Sequence, residues 1–444
     1  MKKQGILTLI TALLLVLTLA SCGKQKGEAV AGIESAAINE NGELVIKYTD
    51  GSEDNLGCVV GSNGEDGTDG KDGVNGASGE MNVINNNNAI ALATSKGIRS
   101  AVRISAKFTG TRYTGGWYPT PVTYEYTSGG AGVIYRLDKA EGNAYLITNH
   151  HVVYDASSNS ENGISEDITV YLYGSEYETQ GIKAEYVGGS LQYDIAVLRI
   201  ERSEILRTSD AVAVTLSDAP EMTVGETAIA IGNPEGLGIS VTSGIVSVDS
   251  EEITMLAADN RTTVTFRVMR IDTAVNSGNS GGGLFNSEGE LIGIVNAKIT
   301  DSQVENIAYA IPLPTAIGAA DNIIDNCSDN ASSNPVVADL GISLAIADSY
   351  AKFNTDTGLI SIIEQISVYE INAESPLYEQ LAESDTIRSV TVGDKTFTVT
   401  RLYHLRDALL TARIGDTVTL NVERDGAATS VTVTLTEEIF SLVK

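Results

Sequence analysis

Asn276-Ser277-Gly278-Asn279-Ser280-Gly281-Gly282-Gly283 is the stretch on which the reading of this chain turns. A serine with glycine two residues before it and three glycines after it leaves room for a substrate backbone to approach. The N–H groups of Gly278 and Ser280 are then free to point at a developing oxyanion. The same composition also makes ordinary turns, so the stretch decides nothing until partners for it are found.

Two other segments supply them. Ala144-Tyr145-Leu146-Ile147-Thr148-Asn149-His150-His151-Val152-Val153 ends an apolar run in histidine, in a chain with only 3 histidines. Gln192-Tyr193-Asp194-Ile195-Ala196-Val197-Leu198-Arg199-Ile200 sets one aspartate at the head of a strand-like run. A serine hydroxyl needs a base to remove its proton, and an imidazole does this near neutral pH. A buried carboxylate then fixes the imidazole tautomer and stabilises the cation that forms. The order His, Asp, Ser is the one used by double-barrel serine proteases.

Together the three segments resemble the HtrA/Deg group of trypsin-like serine proteases, whose hallmarks are T-N-x-H-V-V, D-I-A-V-L and G-N-S-G-G. The resemblance implies a mainly β chain with a chymotrypsin-like double β-barrel. It implies His151 as base, Asp194 as its orienting acid, Ser280 as nucleophile, and Gly278 with Ser280 as the oxyanion hole. His150 takes the variable position of the first motif and reads as a bystander. Gly129-Gly130-Ala131-Gly132-Val133-Ile134-Tyr135 resembles the G-S-G-V-I stretch that begins the strand leading to the histidine. Val224–Pro234, Val241–Ser247, Gly289–Val295 and Ala308–Pro312 match further strands of the second barrel. Ala274, Asn279, Asn296, Ala297 and Ala310 are the candidate substrate-contacting positions. Ala274 stands six residues before the nucleophile, where a Lys/Arg-selective pocket would carry an acid, and Ala310 is also small. The expectation is a modest apolar pocket and cleavage after Val, Ala, Ile or Thr. Gly283 departs from the Pro or Ala common in the family and predicts a looser glycine loop.

Length and composition bound the rest. The chain has 444 residues, enough for two or three cored units. A formal net charge of −29 argues against nucleic acid and against electrostatic docking on an anionic membrane surface. The 3 cysteines are too few and too scattered for a disulfide framework, and no Cys/His cluster suggests a metal. No cofactor is expected.

Met1-Lys2-Lys3 followed by the apolar run Ile6 to Leu19 has the layout of a secretory signal. The run ends in Leu19-Ala20-Ser21-Cys22, which resembles a bacterial lipobox. In that reading residues 1–21 are removed and Cys22 carries a lipid that anchors the protein outside the cytoplasm. Residues 22–94 read as a tether with a small hairpin (Leu44-Val45-Ile46-Lys47-Tyr48 between Asn41-Gly42 and Asp50-Gly51). Within it glycine recurs every third residue from Gly61 to Gly79, a collagen-like period without proline that also suits a plain flexible spacer. A homotrimer is the family expectation.

The protease-like region is placed at 95–318, a helix and linker at 319–335 (the helix itself read from Pro314 to Asn326), and a final domain at 336–444. That final domain resembles an α+β PDZ domain in Leu340-Gly341-Ile342, Ser375-Pro376-Leu377, Asp385-Thr386-Ile387 and Leu405–Leu410. The resemblance makes Leu340, Gly341 and Ile342 the peptide-carboxylate loop, capturing C-terminal peptides as an added strand. Asp339 beside that loop is unfavourable for a carboxylate, and Ser384 stands where the family has glycine. The whole reads as a serine endopeptidase for unfolded extracytoplasmic polypeptides. The alternative is a catalytically weak peptide-binding chaperone or sensor on the same fold.

Overall fold

The computed structural model describes residues 33–41, 43–58, 89–115, 118–174, 180–219, 222–233, 238–297, 307–326 and 334–442. Cys22, the signal-like segment, the collagen-like tract and the run Asn85–Asn88 lie outside them. The chain divides into a unit up to Met81 and a unit from Asn82 onward.

In the first unit, strands β1 (Ile33–Ile38), β2 (Glu43–Tyr48) and β3 (Glu53–Cys58) form an antiparallel meander. The expected hairpin is therefore one strand short. Glu53-Asp54-Asn55 carries little β propensity, and the strand is held by pairing Lys47↔Glu53 to Glu43↔Cys58.

The second unit begins with helix α1 (Ala89–Gly97), which buries Ala93 against the protein and sends Lys96 Nζ to Glu288 O at 2.9 Å. Ser95, the expected start of the protease-like region, lies inside this helix. Two closed barrels follow. The first holds β4 (Ala101–Thr114), β5 (Thr120–Asp138), β6 (Asn143–Thr148), β7 (Asp167–Leu172), β8 (Ile182–Ser190) and β9 (Ile195–Ile200), in the order β4-β5-β6-β9-β8-β7. The second holds β10 (Thr227–Gly232), β11 (Ser240–Leu256), β12 (Thr263–Ile271), β13 (Gly283–Phe285), β14 (Leu291–Asn296) and β15 (Ala308–Pro312), in the order β10-β11-β12-β15-β14-β13. Both barrels share one topology, 1-2-3-6-5-4. The stretch Gly129–Tyr135 falls in the middle of the 19-residue β5, and the strand that leads to the histidines is β6.

Alternation drives the barrel walls. Along β4, Ile104, Ala106 and Phe108 face inward while the residues between them do not. β9 is apolar on both faces because Ala196 and Leu198 join the first barrel's interior while Ile195 and Val197 join the inter-barrel core. That inter-barrel core runs through Val133, Ile147, Ile195, Ile231 and Phe285.

Short helices α2 (His150–Val153) and α3 (Glu204–Thr208) follow β6 and β9, and helix α4 (Leu313–Asn326) follows the second barrel as one continuous element. Leu313, Ala316, Ala320 and Ile323 recur at helical spacing and bury one face. The final domain contains β16 (Val336–Ala338), β17 (Ile342–Phe353), β18 (Ile360–Ile371), β19 (Thr386–Val392), β20 (Lys395–Thr398), helix α5 (His404–Leu410), β21 (Thr417–Arg424), β22 (Ala427–Thr434) and β23 (Phe440–Leu442). Its main sheet runs β17-β18-β19-β21-β22 with β20 on β19, and β16 pairs β23. Ser384 takes φ +73°, a left-handed turn that glycine would hold without strain. Leu340, Ile366, Val390, Leu405 and Leu420 fill this domain's own core.

Candidate active site

Asp194 is placed by an unusual backbone. Its φ is +50°, left-handed for a residue with a side chain, immediately before β9. The turn is pinned from the histidine segment: the His150 N–H and Asn149 Nδ2 donate to the Asp194 carbonyl at 3.1 and 2.9 Å. This aims the carboxylate at the short helix α2 (His150–Val153) that ends β6.

His151 receives it twice. Its backbone N–H donates to Asp194 Oδ1 at 3.0 Å, and its Nδ1 lies 2.6 Å from Oδ2. An ionised carboxylate only accepts, so Nδ1 carries the proton and Nε2 is left as an acceptor. Nε2 lies 2.8 Å from Ser280 Oγ. Burial alone would raise the Asp194 carboxyl, but the His151 charge and hydrogen bonds outweigh it and hold the group below its ordinary value of 3.8. The structure therefore gathers His151, Asp194 and Ser280, although Ser280 lies 129 residues from the histidine.

His150 goes elsewhere. Its ring stacks on Tyr154 at 4.8 Å and sits 3.5 Å from the Tyr186 hydroxyl, beside a cavity of about 670 Å³.

The nucleophile loop is built from glycine and backbone contacts. Gly278 has φ +99°, and its carbonyl is turned away to accept the Asn233 N–H at 3.2 Å. The Ser280 carbonyl accepts the Ala131 N–H at 2.8 Å, and the Gly281 N–H donates to Val295 O at 2.9 Å. A Cβ at Gly281 would meet Thr148 Oγ1 at 2.2 Å and Ala131 O at 2.3 Å, so the first barrel presses directly on this turn. Gly283 is no loose hinge: it is buried in β13, paired with Ile231 and Ile294. A Cβ there would fall 2.5 Å from the Phe285 ring. Against the expectation from sequence, glycine tightens this end of the loop.

The other candidate positions are scattered around the site. Ala310 is fully buried in β15, whereas Ala274 is exposed and its carbonyl accepts Thr242 Oγ1 at 2.8 Å. Asn279 is buried and holds the turn through its N–H to Asn276 O at 3.0 Å. Ala297 is half-buried just past β14. Asn296, expected to contact substrate, sends its side chain instead to Asp194 Oδ2 at 2.8 Å from a fully buried position. Asn149 was not singled out by sequence, although its place beside the histidines in a T-N-x-H motif was the available signal. Among the described residues no group of three or more His, Cys, Asp or Glu is placed to hold a metal ion. Leu340, Gly341 and Ile342 stand at the entrance to β17 in the final domain.

A serine, an imidazole and a buried carboxylate in hydrogen-bonded sequence between two six-stranded barrels define a trypsin-like serine endopeptidase. Residues 130–294 match the trypsin-like peptidase domain family, and residues 338–435 match the PDZ domain family. The serine protease Do-like HtrA of Lactococcus lactis subsp. cremoris (strain MG1363) is 33% identical over 330 residues, 72% of this chain and 73% of that protein. The serine protease Do-like HtrA of Bacillus subtilis (strain 168) is 30% identical over 305 residues, 67% of this chain and 61% of that protein. A solved HtrA-type protease, AlgW with a decapeptide, covers 78% of this chain and 98% of its own at 23% identity and TM-score 0.47. The chain belongs to the HtrA family of serine proteases.

Proposed function

We propose that this protease cleaves unfolded or misfolded polypeptides outside the cytoplasm by an acyl-enzyme mechanism run by His151, Asp194 and Ser280. The observation that carries the reading is the relay of 2.6 Å from Asp194 to His151 and 2.8 Å from His151 to Ser280. His151 Nε2 takes the hydroxyl proton as Ser280 Oγ bonds to the scissile carbonyl carbon. The negative oxygen that results is met by the Gly278 and Ser280 N–H groups, which have no protein acceptor among the described residues. The imidazolium then gives its proton to the leaving amine. Water, deprotonated by the same nitrogen, releases the acyl group. Asp194 keeps Nδ1 protonated throughout, and Asn296 restrains the carboxylate from its far side.

An extended, unfolded substrate suits the site because the second barrel offers strands for backbone pairing, and Ala274 and Ala310 bring no charge to the pocket. Cleavage after small or β-branched apolar residues is the corresponding specificity. The lipobox-like Leu19–Cys22 supports anchoring through a lipid on Cys22, and the glycine-repeat tract is compatible with a trimer. Mass spectrometry of the mature N-terminus tests the anchor: a diacylglyceryl adduct on Cys22 is expected, and Cys22→Ser releases the protein from membranes. An unmodified Cys22 in the mature protein sinks the anchor alone.

The chemistry is tested with casein and an active-site serine probe. Ser280→Ala lowers kcat by roughly 10⁶-fold and abolishes covalent labelling. Casein cleavage by that variant at the wild-type rate would end the case for Ser280.

A further inference from the structure

The loop Asp339-Leu340-Gly341-Ile342 opens β17, the edge strand of the final domain's sheet. An added peptide strand would pair with that edge. The loop backbone is firmly held. The Asp339 N–H donates to Ile439 O at 2.9 Å, Ser375 Oγ to Leu340 O at 2.6 Å, and the Asn372 N–H to Gly341 O at 2.8 Å. One further contact is internal: the Gly341 N–H donates to Asp339 Oδ1 at 2.8 Å.

That contact changes what the groove can receive. A terminal carboxylate seated on this loop needs the N–H groups of Gly341 and its neighbours. The Gly341 donor already belongs to a carboxylate of the loop itself, and Asp339 is exposed. Two carboxylates sharing one donor repel at hydrogen-bond range, and one of them must lose its charge or leave. Swinging Asp339 aside gives up its hydrogen bond and keeps its charge well inside a Debye length of the newcomer. The rest of the groove is suited to a strand. Ile342 and Leu344 of β17 pack on the core shared with Leu405 and Leu409 of α5, and Ile346 is exposed further along.

We propose that this groove takes internal segments of unfolded chains, which bring no terminal carboxylate, and discriminates against free C-termini. The proposal rests on the PDZ reading of residues 338–435 and deepens it by naming the ligand class. An internal segment pairs its backbone with β17, lays apolar side chains over Leu344 and Ile346, and meets the second Asp339 oxygen with an N–H donor. The groove then selects the same kind of chain that the protease cuts.

The test uses the full chain carrying Ser280→Ala, so that bound peptides survive, and fluorescein-labelled decapeptides varied over aliphatic and aromatic residues at their last two positions. Each peptide is made as the free acid and as the C-terminal amide. Amides bind the Ser280→Ala protein at least tenfold more tightly than their acids. Adding Asp339→Asn narrows the gap to within threefold, and adding Asp339→Gly, which frees the Gly341 N–H, turns the preference toward acids. Acids binding as tightly as amides before Asp339 is changed overturn the proposal while leaving the peptide groove standing. Failure of every peptide to bind overturns both. Casein cleavage by the wild type, measured alongside, keeps the protease reading separate from either result.

Discussion

Three donors converge on the Asp194 carboxylate: the backbone N–H and Nδ1 of His151, and Nδ2 of Asn296. Nearly buried, the group could not stay ionised without them. Its folded pKa lies below the ordinary value, so the stability from these contacts is fully present above pH ~4 and drains away as pH falls through the depressed folded value. Asp194→Asn removes that contribution, and stability measured by chemical unfolding with near-UV circular dichroism falls less steeply as pH drops below ~4. The same variant offers His151 an amide that no longer enforces the Nδ1–H tautomer, and kcat on a peptide substrate drops about 10⁴-fold. Asn149→Ala acts on the backbone behind the carboxylate, where its amide pins the strained Asp194 carbonyl. A loss of roughly 10²-fold in kcat/KM is expected from the misplaced carboxylate, with KM little changed. A loss carried wholly by KM instead contradicts this positioning role. The three side chains that the structure gathers, His151, Asp194 and Ser280, were legible because each sits in a contiguous motif. The bond from Asn296 to Asp194 was not legible, because the two lie 102 residues apart and nothing local marks a buried amide that braces an acid.

At the scale of elements, the helix α5 that walls the final domain is also its foot on the protease. Arg267 of β12 pairs with Asp407 of α5, Thr315 Oγ1 of α4 donates to the other Asp407 oxygen at 2.9 Å, and the guanidinium lies 3.5 Å over the Tyr403 ring. Arg401 meets Asp249 at 2.6 Å, and Arg413 meets Asp325 at 2.7 Å. The buried pair dominates, since the outer Arg406–Glu252 pair is half-exposed and worth at most about 1 kcal/mol. Asp407→Ala leaves the Arg267 guanidinium, 4% exposed, without its carboxylate and costs about 3–5 kcal/mol in chemical unfolding. Arg406→Ala changes stability by less than about 1 kcal/mol. Equal effects of the two would show that burial does not govern this interface. None of these pairs could be read from sequence, because their members lie between 88 and 154 residues apart. Element errors have local causes as well. Helix α1 follows a low-complexity asparagine run that carries no apolar period into it, and β3 is written in residues that seldom form strands.

Across the whole molecule, the family resemblance placed both barrels and the final domain in order, with a helix and linker at 319–335 between protease and PDZ domain. The packing joins those two domains directly. Leu410, the last residue of α5, is fully buried in the core shared with Ala316, Ala319 and the inter-barrel residues, and a Cβ on Gly318 would meet it at 2.9 Å. Asn322 Nδ2 ties α4 to Val336 O at 2.7 Å and to Leu410 O at 3.3 Å, closing the same seam with hydrogen bonds. One domain thus completes the other's core, and the two should lose structure together. In differential scanning calorimetry the chain from Ala89 onward is expected to give a single transition for both domains, with calorimetric and van't Hoff enthalpies in agreement. Leu410→Ala empties the shared socket at a cost of about 2–5 kcal/mol and separates the trace into two transitions. High salt does not reproduce the split, because the contacts holding the seam are apolar or buried and are weakly screened. Two well-resolved transitions in the unmodified chain would mean that the seam contributes too little to couple the domains, and that Leu410 packs there without joining their stability.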